Sequence, residues 1–136
     1  MNITSNVKGQ LAISKVELRA LELGFIPSRP LYDTRYDLII DNSKSLRKVQ
    51  VKYADGKPSS SLGAVIVKLS YSNRKNKIYT YNKREVDDLI VYIPKINKLC
   101  LIPKDIFTGK RNLCIRIDKP KNNQTKGVIF AEDYYW

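Results

Sequence analysis

The stretch Tyr36-Asp37-Leu38-Ile39-Ile40, followed after a short polar segment by Lys48-Val49-Gln50-Val51-Lys52, decides how this chain folds. Both pieces are β-branched and alternating, and Asp41-Asn42-Ser43-Lys44-Ser45 between them is turn chemistry, so a β-hairpin is the simplest reading. With Asn42 to Ser45 as the loop, Asp37 stands opposite Gln50. Side chains alternate along a strand, so Lys52 emerges on that same face two residues on. A carboxylate, an amide oxygen and an ammonium thereby meet, with the Val51 carbonyl as a further oxygen. Such a set suits holding a divalent metal and an attacking water against a phosphodiester.

Outward from the hairpin, residues 7 to 23 favour helix. Ile13, Val16, Ala20 and Leu23 form an apolar stripe, Gly24 is a natural stop, and Ser5 or Asn6 is placed to cap the start. Phe25 to Ser28 reads as a first strand at a sheet edge, where Pro27 is acceptable. Leu46 to Ala54 is the longest early β run and breaks at residues 55–61. Ala64 to Ser70 and Lys77 to Tyr81 are expected to flank a basic hairpin tip at residues 72–76, with one or two helical turns over Lys83 to Asp88. Leu89 to Ile93 should pair with Leu99 to Ile102, ahead of a short helix at Pro103 to Phe107 that begins with proline. Leu113 to Ile117 is expected as a final strand, residues 119–126 as a basic, turn-rich tail, and Val128 to Trp136 as an apolar segment that docks. This order predicts an α/β fold, a mixed sheet with a covering helix, in one domain over residues 1–136.

Composition narrows the function. The 136 residues carry 25 Lys and Arg against 13 Asp and Glu, a formal charge of +12, and the pI is about 9.7. Nucleic acid is the leading anionic partner for such a chain. No stretch approaches the roughly 18–20 apolar residues of a membrane span and no signal pattern opens the chain, so a cytoplasmic protein is expected. Cys100 and Cys114 lack metal-ligand spacing and sit in apolar runs, which reads as reduced core thiols. Histidine is absent, which excludes a histidine general base and a Ser-His triad.

An acid on one strand and Gln50-Val51-Lys52 on the next resembles the PD-(D/E)XK nuclease superfamily, in which an acid-x-lysine occupies the second strand. Together with Tyr81, Asp88 and the Val91-Tyr92-Ile93-Pro94 segment, the Gln-x-Lys variant looks like the bacterial group I intron homing endonucleases built on that fold. The resemblance covers residues 7 to 103. It implies a restriction-endonuclease-like α/β fold with a mixed central β-sheet flanked by helices, and Mg²⁺ or Mn²⁺ as cofactor. Asp37, Gln50 and the Val51 carbonyl are then the metal ligands, and Lys52 orients water and stabilises charge on the phosphate.

Gln10 departs from that pattern. The resembling enzymes open their first helix with Gly-Glu, whereas this chain has Gly9-Gln10. Two readings stay open: a natural site running on few carboxylates, or an isosteric Glu-to-Gln change that suppresses cleavage while preserving shape. Glu17, seven residues on, lies near the same helix face as a weak substitute. Gln10, Asp37, Gln50 and Lys52 are thus the candidate catalytic residues.

Candidate DNA contacts are Arg35, Lys57, Ser59, Ser60, Ser61, Lys68, Arg74, Lys75 and Lys77, the last three on or beside the hairpin tip, which is shaped to enter a major groove. A double-strand break needs two active sites, so a homo-oligomer follows. The resemblance favours a dimer of dimers, with Tyr134-Tyr135-Trp136 as an interface element or as a segment docked on its own domain. The expected function is site-specific cleavage of double-stranded DNA. A structure-selective junction or repair nuclease and a non-catalytic nucleic-acid-binding module are the alternatives.

Overall fold

The computed structural model describes residues 2–57, 63–118 and 128–136. Helix α1, Ser5–Glu22, is capped by Thr4 rather than by Ser5 or Asn6. Thr4 Oγ1 accepts from the Val7 N–H at 3.3 Å, taking one of the four amide donors that every helix start leaves over. At the other end Gly24 adopts φ 78°. The Phe25 and Gly24 amides then reach the Ala20 and Leu21 carbonyls, the paired hydrogen bonds that close a helix through a left-handed glycine.

The hairpin register is the expected one. Strand β2, Leu38–Asp41, runs antiparallel to β3, Leu46–Tyr53, with Leu38 opposite Val49 and Asp41 opposite Leu46. Strand β1, Ile26–Ser28, closes the edge, and β7, Asp88–Ile93, lies parallel to β3 and antiparallel to β8, Lys98–Pro103. The mixed sheet has the order β1-β2-β3-β7-β8. Every residue of β7 is buried, as expected of a central strand covered on both faces.

On one face α1 packs through Ala12, Val16 and Ala20, all fully buried, against Leu38, Ile40, Val49, Val51, Ile90 and Tyr92. This row differs from the predicted stripe: Ala12 takes the place of Ile13, and Leu23 is exposed. Small side chains spaced four apart let the helix approach the sheet closely, and bulkier Ile13 sits on the flank. The other face of β7 and β8 is covered by a second sheet of order β10-β9-β4, made of Ala64–Lys68 (β4), Asn112–Arg116 (β9) and Ile129–Phe130 (β10). Helix α2, Lys104–Phe107, contributes buried Phe107 to the same core.

Further expectations need correction. β4 pairs with β9 rather than with residues 77–81, because its Val65 and Val67 are needed in the core between the sheets. The basic hairpin is shorter, with Tyr71–Ser72 (β5) and Ile78–Tyr79 (β6) as its arms. Residues 83–88 form turns followed by the start of β7: Asn82 Oδ1 caps the amides of Arg84 and Glu85 as at a helix start, but the chain is already extended at Asp88, where β7 pairs with β3. Cys114 is exposed while Cys100 is buried, because alternation on β9 turns Leu113 and Ile115 inward. β9 is also followed by β10 and a 3₁₀ turn, Ala131–Tyr134. Trp136 then docks, its N–H donating to the Leu99 carbonyl at 3.0 Å. No helix among the described residues is long and apolar enough to cross a membrane.

Candidate active site

Since Leu38, Ile40, Val49 and Val51 face α1, alternation sends Asp37, Gln50 and Lys52 to the other side. The sheet ends there. Asp37 directs its backbone N–H to the Val49 carbonyl at 2.9 Å, and its Oδ2 accepts from the Val51 N–H at 2.9 Å. Asp37 thus leaves the regular ladder, its N–H reaching Val49 instead of the expected Gln50, and its carboxylate takes the Val51 amide and grips β3 between Gln50 and Lys52. The first turns of α1 reach the same place, so that Gly9, Gln10, Ile13, Asp37, Gln50, Val51 and Lys52 line one cleft of about 480 Å³.

Burial pushes the Asp37 carboxyl above its usual range, opposed by the Val51 N–H and by the charges of Lys52 and Arg29. Burial likewise lowers the Lys52 ammonium, a shift that Asp37 opposes and that Arg35 and Lys68 reinforce. Each group is partly desolvated and stabilised by the other's charge, the condition in which an anion and a cation act most strongly on a bound substrate. Lys52 Nζ also lies 5.6 Å from the centre of the Tyr81 ring. Gln50 Nε2 is 3.5 Å from the Val51 carbonyl oxygen, so the amide and the backbone oxygen adjoin.

Gln10 Oε1 accepts from Arg29 Nη1 at 2.9 Å. Arg29 also grips Glu17 through Nε at 3.0 Å and Nη2 at 2.7 Å, and this pairing holds the Glu17 carboxyl below its usual range. Glu17 is therefore committed to Arg29. Arg29 is the residue that sequence reading missed. Nothing local marks it, because it follows β1 and reaches the cleft only through the packing of β1 beside α1.

Arg35 is half-buried and held between two rings rather than extended into solvent. Its guanidinium lies 3.7 Å from the Tyr71 ring centre and 4.4 Å from that of Tyr81, and its Nε donates to Glu85 at 2.7 Å. Its Nη2 is buried with no hydrogen-bond acceptor among the described residues, and the two tyrosine faces lie against the guanidinium instead. Arg35 thereby joins the β5–β6 hairpin to the cleft. On that hairpin Tyr71 and Tyr79 stack at 5.1 Å, and Asn73 Oδ1 accepts from the Lys75 and Lys77 amides. Arg74, Lys75 and Lys77 are exposed, as are Lys68 on β4 and Lys57 beyond β3. Ser59, Ser60, Ser61 and the basic segment 119–126 lie outside the described residues.

The PD-(D/E)XK endonuclease family model matches residues 3–136. Among solved structures, the chain is similar to a bacterial homing endonuclease, I-Ssp6803I, with a TM-score of 0.79 and 23% identity over 98% of this chain and 89% of that one. A weaker likeness is to MepB, with a TM-score of 0.48 and 17% identity over 84% and 87% of the two chains. No curated protein matches. A family match across nearly the whole length, on a mixed sheet that brings Asp37, Gln50 and Lys52 to one cleft, makes this chain a member of the PD-(D/E)XK endonuclease family.

Proposed function

We propose that the chain is a site-specific double-strand DNA endonuclease of homing type, a single cytoplasmic nuclease domain working as a homo-oligomer, with a tetramer favoured. The observation that carries the reading is the convergence of Asp37, Gln50 and Lys52 on one cleft beside an exposed basic hairpin. The +12 charge supports a polyanionic substrate, and the solved homing endonuclease of the same fold is a functional analogy.

The family implies a divalent cation, and the donor set bears on its fit. Among the described residues no cluster of three or more His, Cys, Asp or Glu is built to hold a metal. Mg²⁺ is commonly held by only one or two carboxylates, with waters and substrate phosphate completing its shell. The Asp37 carboxylate, the Gln50 amide oxygen and the Val51 carbonyl fit that pattern as hard oxygen donors that depend on DNA to complete the site. Mg²⁺ or Mn²⁺ there supplies Lewis-acid polarisation of the phosphate. Lys52 holds a positive charge where negative charge grows on the phosphate, in a partly desolvated position where that charge is weakly screened. Asp37 ties β3 down through the Val51 N–H and favours the charged form of Lys52. The hairpin, tied to the cleft through Arg35, sets which sequence lies over the site.

Gln10 occupies a position where a carboxylate would add a second anion, and Arg29 now binds its neutral oxygen. The reading is tested by cleavage of a genomic DNA library with Mg²⁺, comparing the chain with Gln10→Glu and Lys52→Ala. Discrete cuts are expected to rise about tenfold or more in Gln10→Glu and to vanish in Lys52→Ala. Tight DNA binding with no cutting by any of the three would point instead to a non-catalytic binding module. Preference for branched over linear duplex would point to a junction nuclease.

A further inference from the structure

Lys8, Lys15 and Arg19 recur at spacings of seven and four, which places them on one flank of α1. That flank faces β7 and β8, on the far side of the helix from Gln10 and Arg29. Lys8 Nζ pairs with Asp55 at 2.5 Å and lies 5.7 Å from the Tyr53 centroid, while Lys15 Nζ lies 5.3 Å from that of Tyr92 with no carboxylate partner among the described residues. Tyr53 and Tyr92 themselves meet edge to face at 5.6 Å. Asn97, left-handed at φ 51° in the turn between β7 and β8, accepts from Tyr92 Oη at 3.0 Å and from Lys15 Nζ at 3.4 Å. Lys98 follows, 5.3 Å from the Tyr135 ring.

These residues line a second open groove of about 490 Å³, between α1 and the start of β8. Its lining holds Lys15, Arg19 and Lys98 against one acidic side chain, Glu22, which Arg19 engages at 3.3 Å. The row is continuous with the candidate active site, because Lys8 and Tyr53 line the cleft while their neighbours Lys15 and Tyr92 line the groove. At 1.5 Å per residue Lys8, Lys15 and Arg19 lie about 10 Å and 6 Å apart along the helix, a row long enough to meet more than one backbone phosphate.

We propose that this flank of α1 and its groove bind the sugar–phosphate backbone of duplex DNA beside the scissile phosphate, opposite the β5–β6 hairpin. The proposal rests on the nuclease reading above and adds a contact surface to it. A protein partner is the poorer fit, since the buried centres of protein interfaces are depleted in charge, whereas a polyanion gains by releasing counterions along such a row.

The test measures binding of a random-sequence duplex of about four helical turns, roughly 40 base pairs, by fluorescence anisotropy across a salt series. Wild type is compared with Lys15→Gln/Lys98→Gln, with thermal melting of each as a folding control. Loss of two phosphate contacts should reduce the log-log salt slope by about 1.8, so the wild-type advantage should shrink about tenfold between 50 and 200 mM salt. An unchanged slope in a folded variant overturns the proposal, and if the variant's sedimentation mass falls as well, the groove belongs to a second copy of the chain. Wild type that shows no salt-dependent binding to duplex at all would remove the nuclease reading itself, and this surface with it.

Discussion

The carboxylate of Asp37 and the backbone N–H of Val51 are joined at 2.9 Å, so the residue proposed to hold a metal also fixes the strand that carries Gln50 and Lys52. Its pKa is raised, with burial the leading cause. The folded state therefore binds this proton more tightly than the unfolded chain, and stability falls as pH rises above the ordinary carboxylate range. Asp37→Asn, which keeps an acceptor for Val51, should melt about 2–4 °C higher than wild type at neutral pH. The difference should fade as pH drops through that range, and cleavage should be lost. A lower melting temperature at neutral pH would mean that the ionic hydrogen bond to Val51 outweighs burial.

Lys52 carries the mirror-image cost. Burial lowers its pKa, so below that lowered value the protonated ammonium opposes folding, and the cost is relieved as pH rises through it. Lys52→Met keeps the stem and removes the charge. It should raise the melting temperature at neutral pH while reducing cleavage by about 10²–10³-fold, the range typical of deleting one group that stabilises transition-state charge. Parallel thermal melts and single-turnover rates check both halves.

Arg35 between Tyr71 and Tyr81 is expected to set the order of the hairpin. Each ring contributes about 0.5–1 kcal/mol through its face, and lysine cannot reproduce a planar guanidinium between two rings. Tyr71→Ala and Arg35→Lys should each speed hydrogen exchange at the Tyr71 and Tyr79 amides and weaken sequence discrimination more than non-specific affinity. Unchanged exchange in both variants would detach the hairpin from the cleft.

The two thiols should separate cleanly. Burial raises the Cys100 thiol to about 11, and Cys100 is fully buried while Cys114 is exposed. At pH 8 a disulfide reagent should titrate one thiol in the native protein and the second only in denaturant. Cys114→Ser should abolish the fast phase.

Glu17 and Arg29 supply an acid-sensitive contact. Pairing with Arg29 lowers the Glu17 pKa, so its contribution is present above the unfolded value near 4.5 and is lost as pH falls through the lowered one. Because the pair is exposed on the surface, Glu17→Gln should change neutral-pH stability only slightly. It should instead free Arg29 to move, altering cleavage by Gln10→Glu more than by wild type, which a double-mutant comparison of rates would show.

The central hairpin was legible because its cause is local: alternation and turn residues within residues 36–52 fix a register, and a slip of one would turn Leu38 and Val49 outward. From that register Asp37, Gln50 and Lys52 fall on one face without further information. The same local logic placed β7 and β8 and the proline-led α2. Where packing between distant segments decides, it failed. The sequence of β4 cannot say that its partner is β9, some 45 residues later, and the burial of Val65 and Val67 depends on that pairing. Cys114 shows the same limit, since an apolar run reads as core until the strand's inward face is known.

The sequence by itself determined the metal-suited chemistry of the hairpin, the basic character of the chain and the family pattern, because these follow from residue type and a period of two. Tertiary structure alone decided the surroundings of that chemistry: Arg29 on Gln10, Arg35 between two tyrosines, and the cationic flank of α1 beside Tyr53 and Tyr92. The physical reason is that charge and ring contacts depend on distance in space, and residues 29, 35, 53, 81 and 92 become neighbours only when the helix and both sheets close over one another.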